Sequence, residues 1–184
     1  MKRSGILALV AGLFFVIAAA SHQLAVAATG AELSRDATRV LDTLYKRYPA
    51  AAALSKDAKA IVIFPKITKA GFMIGGESGD GVMLVNGKSV GYYNTSGVSY
   101  GLQAGAQTYG YALFLMTDKA SKEFGSAEGF EVGLGPSVVV MDDAMASKTT
   151  TTTVKSDIYA FIFGQKGIMA GLGIQGSKIT KIKT

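Results

Sequence analysis

Two close acidic pairs, a run of cations and several glycine-rich turns are the groupings in this 184-residue sequence whose types and spacing could do chemistry. Glu77 with Asp80, and Asp142 with Asp143, bring two carboxylates near enough for general acid and base work of the kind a hydrolase uses. Both pairs fall in turn-like stretches, where a short acidic side chain bonds its own backbone, and turn chemistry explains them sufficiently. Neither offers the alternating ligands of a calcium loop. Gly133-x-Gly135-Pro136-Ser137 lacks the spacing of a phosphate-binding loop. The sequence has no cysteine and no tryptophan, and its only histidine is His22. That removes the thiol nucleophile, the commonest general base and nearly every zinc ligand set. The expectation is a protein that is not an enzyme and has no metal and no cofactor.

The cations remain. Arg35, Arg39, Lys46, Arg47, Lys56, Lys59, Lys66 and Lys69 stand against four carboxylates between positions 31 and 69, while positions 70–184 hold nine bases and nine acids. The whole excess charge after the first 30 residues therefore sits in one short region, which is where an anionic partner would be met. Read from the residues alone, that region is a solvated face. Nucleic acid fits poorly, since no recognition motif is visible and the tyrosines fall in core-like strands.

The elements that must position these cations follow from periodicity. Residues 1–27 read as an export signal: Lys2 and Arg3, an uncharged apolar run over 6–20, and Ala25-Val26-Ala27 as the cleavage site, leaving 28–184 as a single domain. Residues 32–48 have the spacing of an amphipathic helix, with Leu33, Ala37, Val40, Leu41, Leu44 and Tyr48 in an arc of roughly 100° and Arg35, Arg39 and Lys46 opposite. Pro49 stops it, and 50–54 form a short further turn. Strands are predicted over 60–64, closed by Pro65, and over 71–76, with 66–69 as a basic connection and 77–81 as a turn. Asn86-Gly87 joins 82–85 to 88–94 as a hairpin. The organising stretch is 97–117: Gly97, Gly101 and Gly105 share one parity, a nearly bare face with room for another backbone or ring, and YALFLM then suits a strand covered on both sides. A helix over 118–124 capped by Asp118, a strand over 131–141, a strand led by Thr149 to Thr153, and a glycine-rich end complete the chain. The expected fold class is α+β, with N-terminal helices packed on a strongly curved, mainly antiparallel sheet of about eight strands, closure into a small barrel being left open.

The order of these pieces resembles the SYLF domain family. The segments that carry the resemblance are AKAIVIFPKITKAGFMIGGESGDGVML (58–84), SYGLQAGAQ (99–107), FLMTDKA (114–120) and SDIYAFIFGQKGIMAGLGIQGS (156–177). Members of that family are lipid-binding modules that prefer anionic phosphoinositides in eukaryotic examples, some of which also bind actin, and bacterial members are typically exported single-domain proteins. The resemblance implies an anionic phospholipid membrane surface as partner, with the eight cations named above as the lipid-binding residues, and a place in the periplasm or cell envelope or outside the cell. Two alternatives stay open: a carrier of an apolar ligand inside the curved sheet, and a carboxylate-dependent hydrolase.

Overall fold

The computed structural model describes residues 29–126, 129–131, 138–141, 156–167 and 177–183. The expected export signal, the Asp142-Asp143 pair and the threonine run lie outside the described residues. Helix α1 (Gly30–Arg47) begins two residues before the expected start because Thr29-x-x-Glu32 is a capping box. The Thr29 hydroxyl accepts the Glu32 N–H at 3.3 Å and the Glu32 carboxylate accepts the Thr29 N–H at 3.0 Å, so two orphan amides of the first turn are satisfied. Its apolar arc docks as expected: Leu33, Ala37, Leu41 and Leu44 are buried, and Val40 and Tyr48 pack at the edge of the same cluster. Pro49 both ends α1 and opens α2 (Pro49–Asp57), where its missing N–H costs nothing.

Three predicted strands are one. Strand β1 (Ala60–Val85) runs through Pro65 and through the expected turn at 77–81, and pairs antiparallel with β2 (Lys88–Leu115) from Ala60 opposite Leu115 to Val85 opposite Lys88. Pro65 is tolerated because it sits in a bulge between Phe64 and Ile67, where no ladder amide is demanded. The hairpin at Asn86 (φ 51°) and Gly87 (φ 74°) is as read, both residues left-handed as a type I′ turn requires. Helix α3 (Asp118–Phe124) is capped by Thr117, whose hydroxyl accepts the Ala120 N–H at 3.2 Å; Asp118 is its first helical residue, not its cap. Short strands β3 (Phe130–Glu131) and β4 (Val138–Met141) precede β5 (Ile158–Gly167) and β6 (Lys178–Ile182).

Strand β2 organises the sheet, as the sequence suggested. One of its edges takes β1 throughout; the other takes β6 along its first part, from Tyr92 opposite Ile182 to Ser96 opposite Lys178, and β5 along its last, from Gln107 opposite Gly167 to Leu115 opposite Ile158. β3 extends the sheet beyond β6 antiparallel, and β4 extends it beyond β5 in a parallel pair. Among the described residues six continuous strands thus supply eight strand segments once β1 and β2 each bend, giving an open, strongly curled half-barrel in an α+β fold. The bend of β1 lies at Gly71, where a Cβ would collide with the Gly75 backbone and stand 2.5 Å from the Ile74 carbonyl oxygen. Past the bend β1 lies against itself: a Cβ on Gly81 would be 2.6 Å from the Ile63 carbonyl oxygen.

Two apolar layers follow. Inside the curl Phe64, Ile67, Met83, Tyr93, Tyr111, Leu113 and Leu115 meet Phe124 of α3; outside it Ile61, Ile63, Val82, Ala112, Phe114 and Phe161 meet α1 and α2. The alternation of Tyr111, Leu113 and Leu115 with Ala112 and Phe114 explains why YALFLM carries no polar residue: both of its faces are covered.

Candidate functional site

The docked stripe of α1 turns its opposite side to solvent. Arg35, Arg39 and Lys46 are exposed there and line one open depression with Thr38 and Asp42, as the helical spacing predicted. Arg39 is tied to Asp36 at 2.9 Å, an exposed ion pair that fixes its guanidinium without neutralising the ridge. On one flank of this ridge α1 and β5 enclose a groove of about 340 Å³. Its cations, Arg39 and Arg47, are exposed, while Val40, Leu44, Tyr48 and Phe163 form its more deeply placed apolar walls. The Arg47 guanidinium stands 5.2 Å from the centre of the Tyr48 ring, so the positive rim is fixed over an aromatic wall. On the other flank, Leu41 and Tyr45 help line a pocket of about 250 Å³ under the hairpin tip, with Lys56 at its edge. Lys59 and Lys66 are exposed but line none of these three depressions.

Lys69 does not belong to this surface, which corrects the expectation. It is only 6 % exposed, because the strand continues where a connection was expected and residue 69 points inside the curl. Its ammonium lies 3.9 Å from the Glu77 carboxylate. Glu77 was expected in a turn; it stands on β1, where one of its oxygens accepts the Tyr109 hydroxyl at 2.9 Å and the other the Ser177 hydroxyl at 2.6 Å. Nearby, the Tyr111 hydroxyl donates to Thr95 at 2.9 Å. Burial, then the Glu77 charge, pushes the Tyr109 phenol well above the ordinary tyrosine range. Burial does the same to Tyr111, against the Thr95 hydrogen bond. Both therefore stay neutral donors. Gln107, opposite Lys69 in the β1–β2 register, is buried with its Oε1 unpartnered.

This interior cluster was missed in the sequence because its contacts join residues 8 to 100 positions apart. One signal existed. Gly97 stands opposite Glu77, and a Cβ there would lie 3.1 Å from the Glu77 carboxylate and 3.3 Å from the Ser177 hydroxyl, so the bare face makes room for a carboxylate. Both Glu77 oxygens are occupied and Asp80 accepts the Asn94 amide at 2.8 Å, which splits the acidic pair into two separate structural roles. Among the described residues no three of His, Cys, Asp and Glu converge, and no helix is long and apolar enough to cross a membrane.

No curated protein matches this chain. Residues 96–184, from the middle of β2 to the end of β6, match the family described as Ysc84, Las17-binding protein actin regulator. The matched segment holds four of the seven residues of the interior cluster (Gln107, Tyr109, Tyr111 and Ser177) and the Phe163 wall of the groove, and over that segment the chain matches the Ysc84 family, the SYLF domain family.

Proposed function

We propose that this protein is an exported, non-enzymatic module of the bacterial cell envelope that binds anionic phospholipid surfaces through the outer face of α1. The family is associated with lipid and actin-related binding. The observation that carries the finer reading is the groove beside the basic ridge: Arg39 and Arg47 are exposed over walls made by Val40, Leu44, Tyr48 and Phe163. Cations at the rim answer a phosphate, and an apolar wall just beneath answers the first methylenes of an acyl chain. Arg35 and Lys46 extend the same charge along the helix, and Lys56, Lys59 and Lys66 add exposed cations around it. The inside of the curl is filled by Phe64, Tyr93, Tyr111 and Phe124, which favours this outer site over an apolar ligand carried within the sheet.

The test is co-sedimentation with vesicles of phosphatidylcholine alone and of phosphatidylcholine with phosphatidylglycerol, across a salt series. Each cation near an anionic surface contributes about 1 kcal/mol, so neutralising Arg35, Arg39 and Lys46 together removes about 3 kcal/mol, roughly a hundredfold in affinity. The Arg35→Gln/Arg39→Gln/Lys46→Gln protein should stay folded and lose binding to that degree. Equal binding of parent and variant, or equal binding to the two vesicle types, would refute the proposal.

A further inference from the structure

The pocket on the other flank of α1 has a different chemistry. It holds about 250 Å³, room for about eight waters, and its floor is Leu41, Ile61 and Leu84. Its polar groups come from three separate elements: Tyr45 of α1, Ser55 and Lys56 of α2, and Asn86 at the hairpin tip. Their hydrogen-bonding state selects the ligand. Ser55 Oγ donates to the Ala52 carbonyl at 2.8 Å, so towards the pocket it can only accept. Burial raises the Tyr45 phenol, against the neighbouring Ser55 hydroxyl, which lowers it, and with a smaller push from the Asp42 carboxylate, so it is a neutral hydroxyl. Asn86 brings one acceptor and two donors, and Lys56 brings donors only.

We propose that this pocket binds a neutral, hydroxyl-rich ring of monosaccharide size. A phosphate or sulfate only accepts; it would satisfy Lys56 and Asn86 but oppose the Ser55 oxygen. It would also meet the Asp42 field and the negative C-terminal end of α2 at Asp57. A ring hydroxyl both donates and accepts, which matches a mixed set, and the C–H face of a sugar ring covers an aliphatic floor. The left-handed turn holds the Asn86 backbone at the pocket before a ligand arrives. The ring can come from a glycolipid headgroup or from a free saccharide. This site does not depend on the membrane reading, since none of its residues lines the basic ridge, and Lys56 alone is among the cations around it.

The experiment is an NMR titration of the full chain with methyl glucoside, with inorganic phosphate as the anion control. In parallel, binding is compared for phosphatidylcholine vesicles with and without diglucosyl diacylglycerol. Methyl glucoside should shift the amides of Tyr45, Ser55, Asn86 and Gly87 at millimolar concentration. Asn86→Gly keeps the type I′ turn and should weaken this about tenfold, with Ser55→Ala as an independent variant. Both variants should bind anionic vesicles as the parent does, which separates this site from the basic ridge. Glycolipid vesicles that bind and are competed by methyl glucoside would identify a headgroup; sugar binding without a glycolipid effect would identify a free saccharide. No shift with the sugar, the same shifts with phosphate at lower concentration, or unchanged affinity in both variants would each overturn the proposal.

Discussion

Replacing Glu77 by glutamine should be among the most damaging single changes in the sheet, although Glu77 touches no surface site. Its side chain is 8 % exposed and gathers Lys69, Tyr109 and Ser177. Removing one member of a buried ion pair costs about 3–5 kcal/mol, because the remaining charge is left without a partner. The 3.9 Å separation from Lys69 places this pair at the lower end, about 3 kcal/mol, and two hydrogen bonds that were charge-assisted become neutral, for about 1 kcal/mol more. Lys69→Met is milder, about 1–2 kcal/mol, since Glu77 keeps two hydroxyl donors at 2.9 and 2.6 Å. The double variant leaves no buried charge unpaired and should be more stable than Glu77→Gln alone. Urea unfolding followed by far-ultraviolet circular dichroism measures all three, and the Glu77→Gln midpoint should fall by about 8–16 °C in a thermal scan. A Glu77→Gln protein within about 1 kcal/mol of the parent, or strictly additive effects in the double variant, would refute this account of the interior.

Three further outcomes follow from the same geometry. Gly81→Ala should lose about 1–3 kcal/mol in urea unfolding, because the new methyl would stand 2.5 Å from Phe64 Cδ1 and 2.6 Å from the Ile63 carbonyl oxygen; a neutral effect would mean that β1 does not lie against itself. Gln107→Leu should be neutral or stabilising by up to about 1–2 kcal/mol, since it removes an unpartnered buried acceptor; a loss of that size would show that the acceptor is satisfied in solution. Tyr109 and Tyr111 are both raised above the ordinary value of 10.0, so the folded chain holds protons that the unfolded chain loses. Their contribution is fully present below pH 10 and falls as pH rises beyond it; Tyr111→Phe should flatten that fall, and an unchanged pH profile would count against the buried phenol.

The sequence by itself determined the parts that depend on local repetition. A 3.6-residue apolar period fixes which side of α1 docks, and the same period fixes that Arg35, Arg39 and Lys46 share the other side. Asn86-Gly87 fixes its hairpin, and the uninterrupted apolar run of YALFLM fixes a strand buried on both faces. What the sequence could not carry is continuity and closure. Pro65 and the Glu77 to Gly81 stretch look like breaks, yet a bulge absorbs the proline and backbone pairing to β2 carries the glycines, so local propensity loses to a long partner strand. The interior cluster depends on the same event. Lys69 reads as one more cation and Glu77 as a turn residue until β1 bends at Gly71 and β2 brings Tyr109 and Gln107 across from them. Burial of a charge is decided by what the rest of the chain places over it, and that is a property of the curled sheet, not of the residues on either side of the lysine.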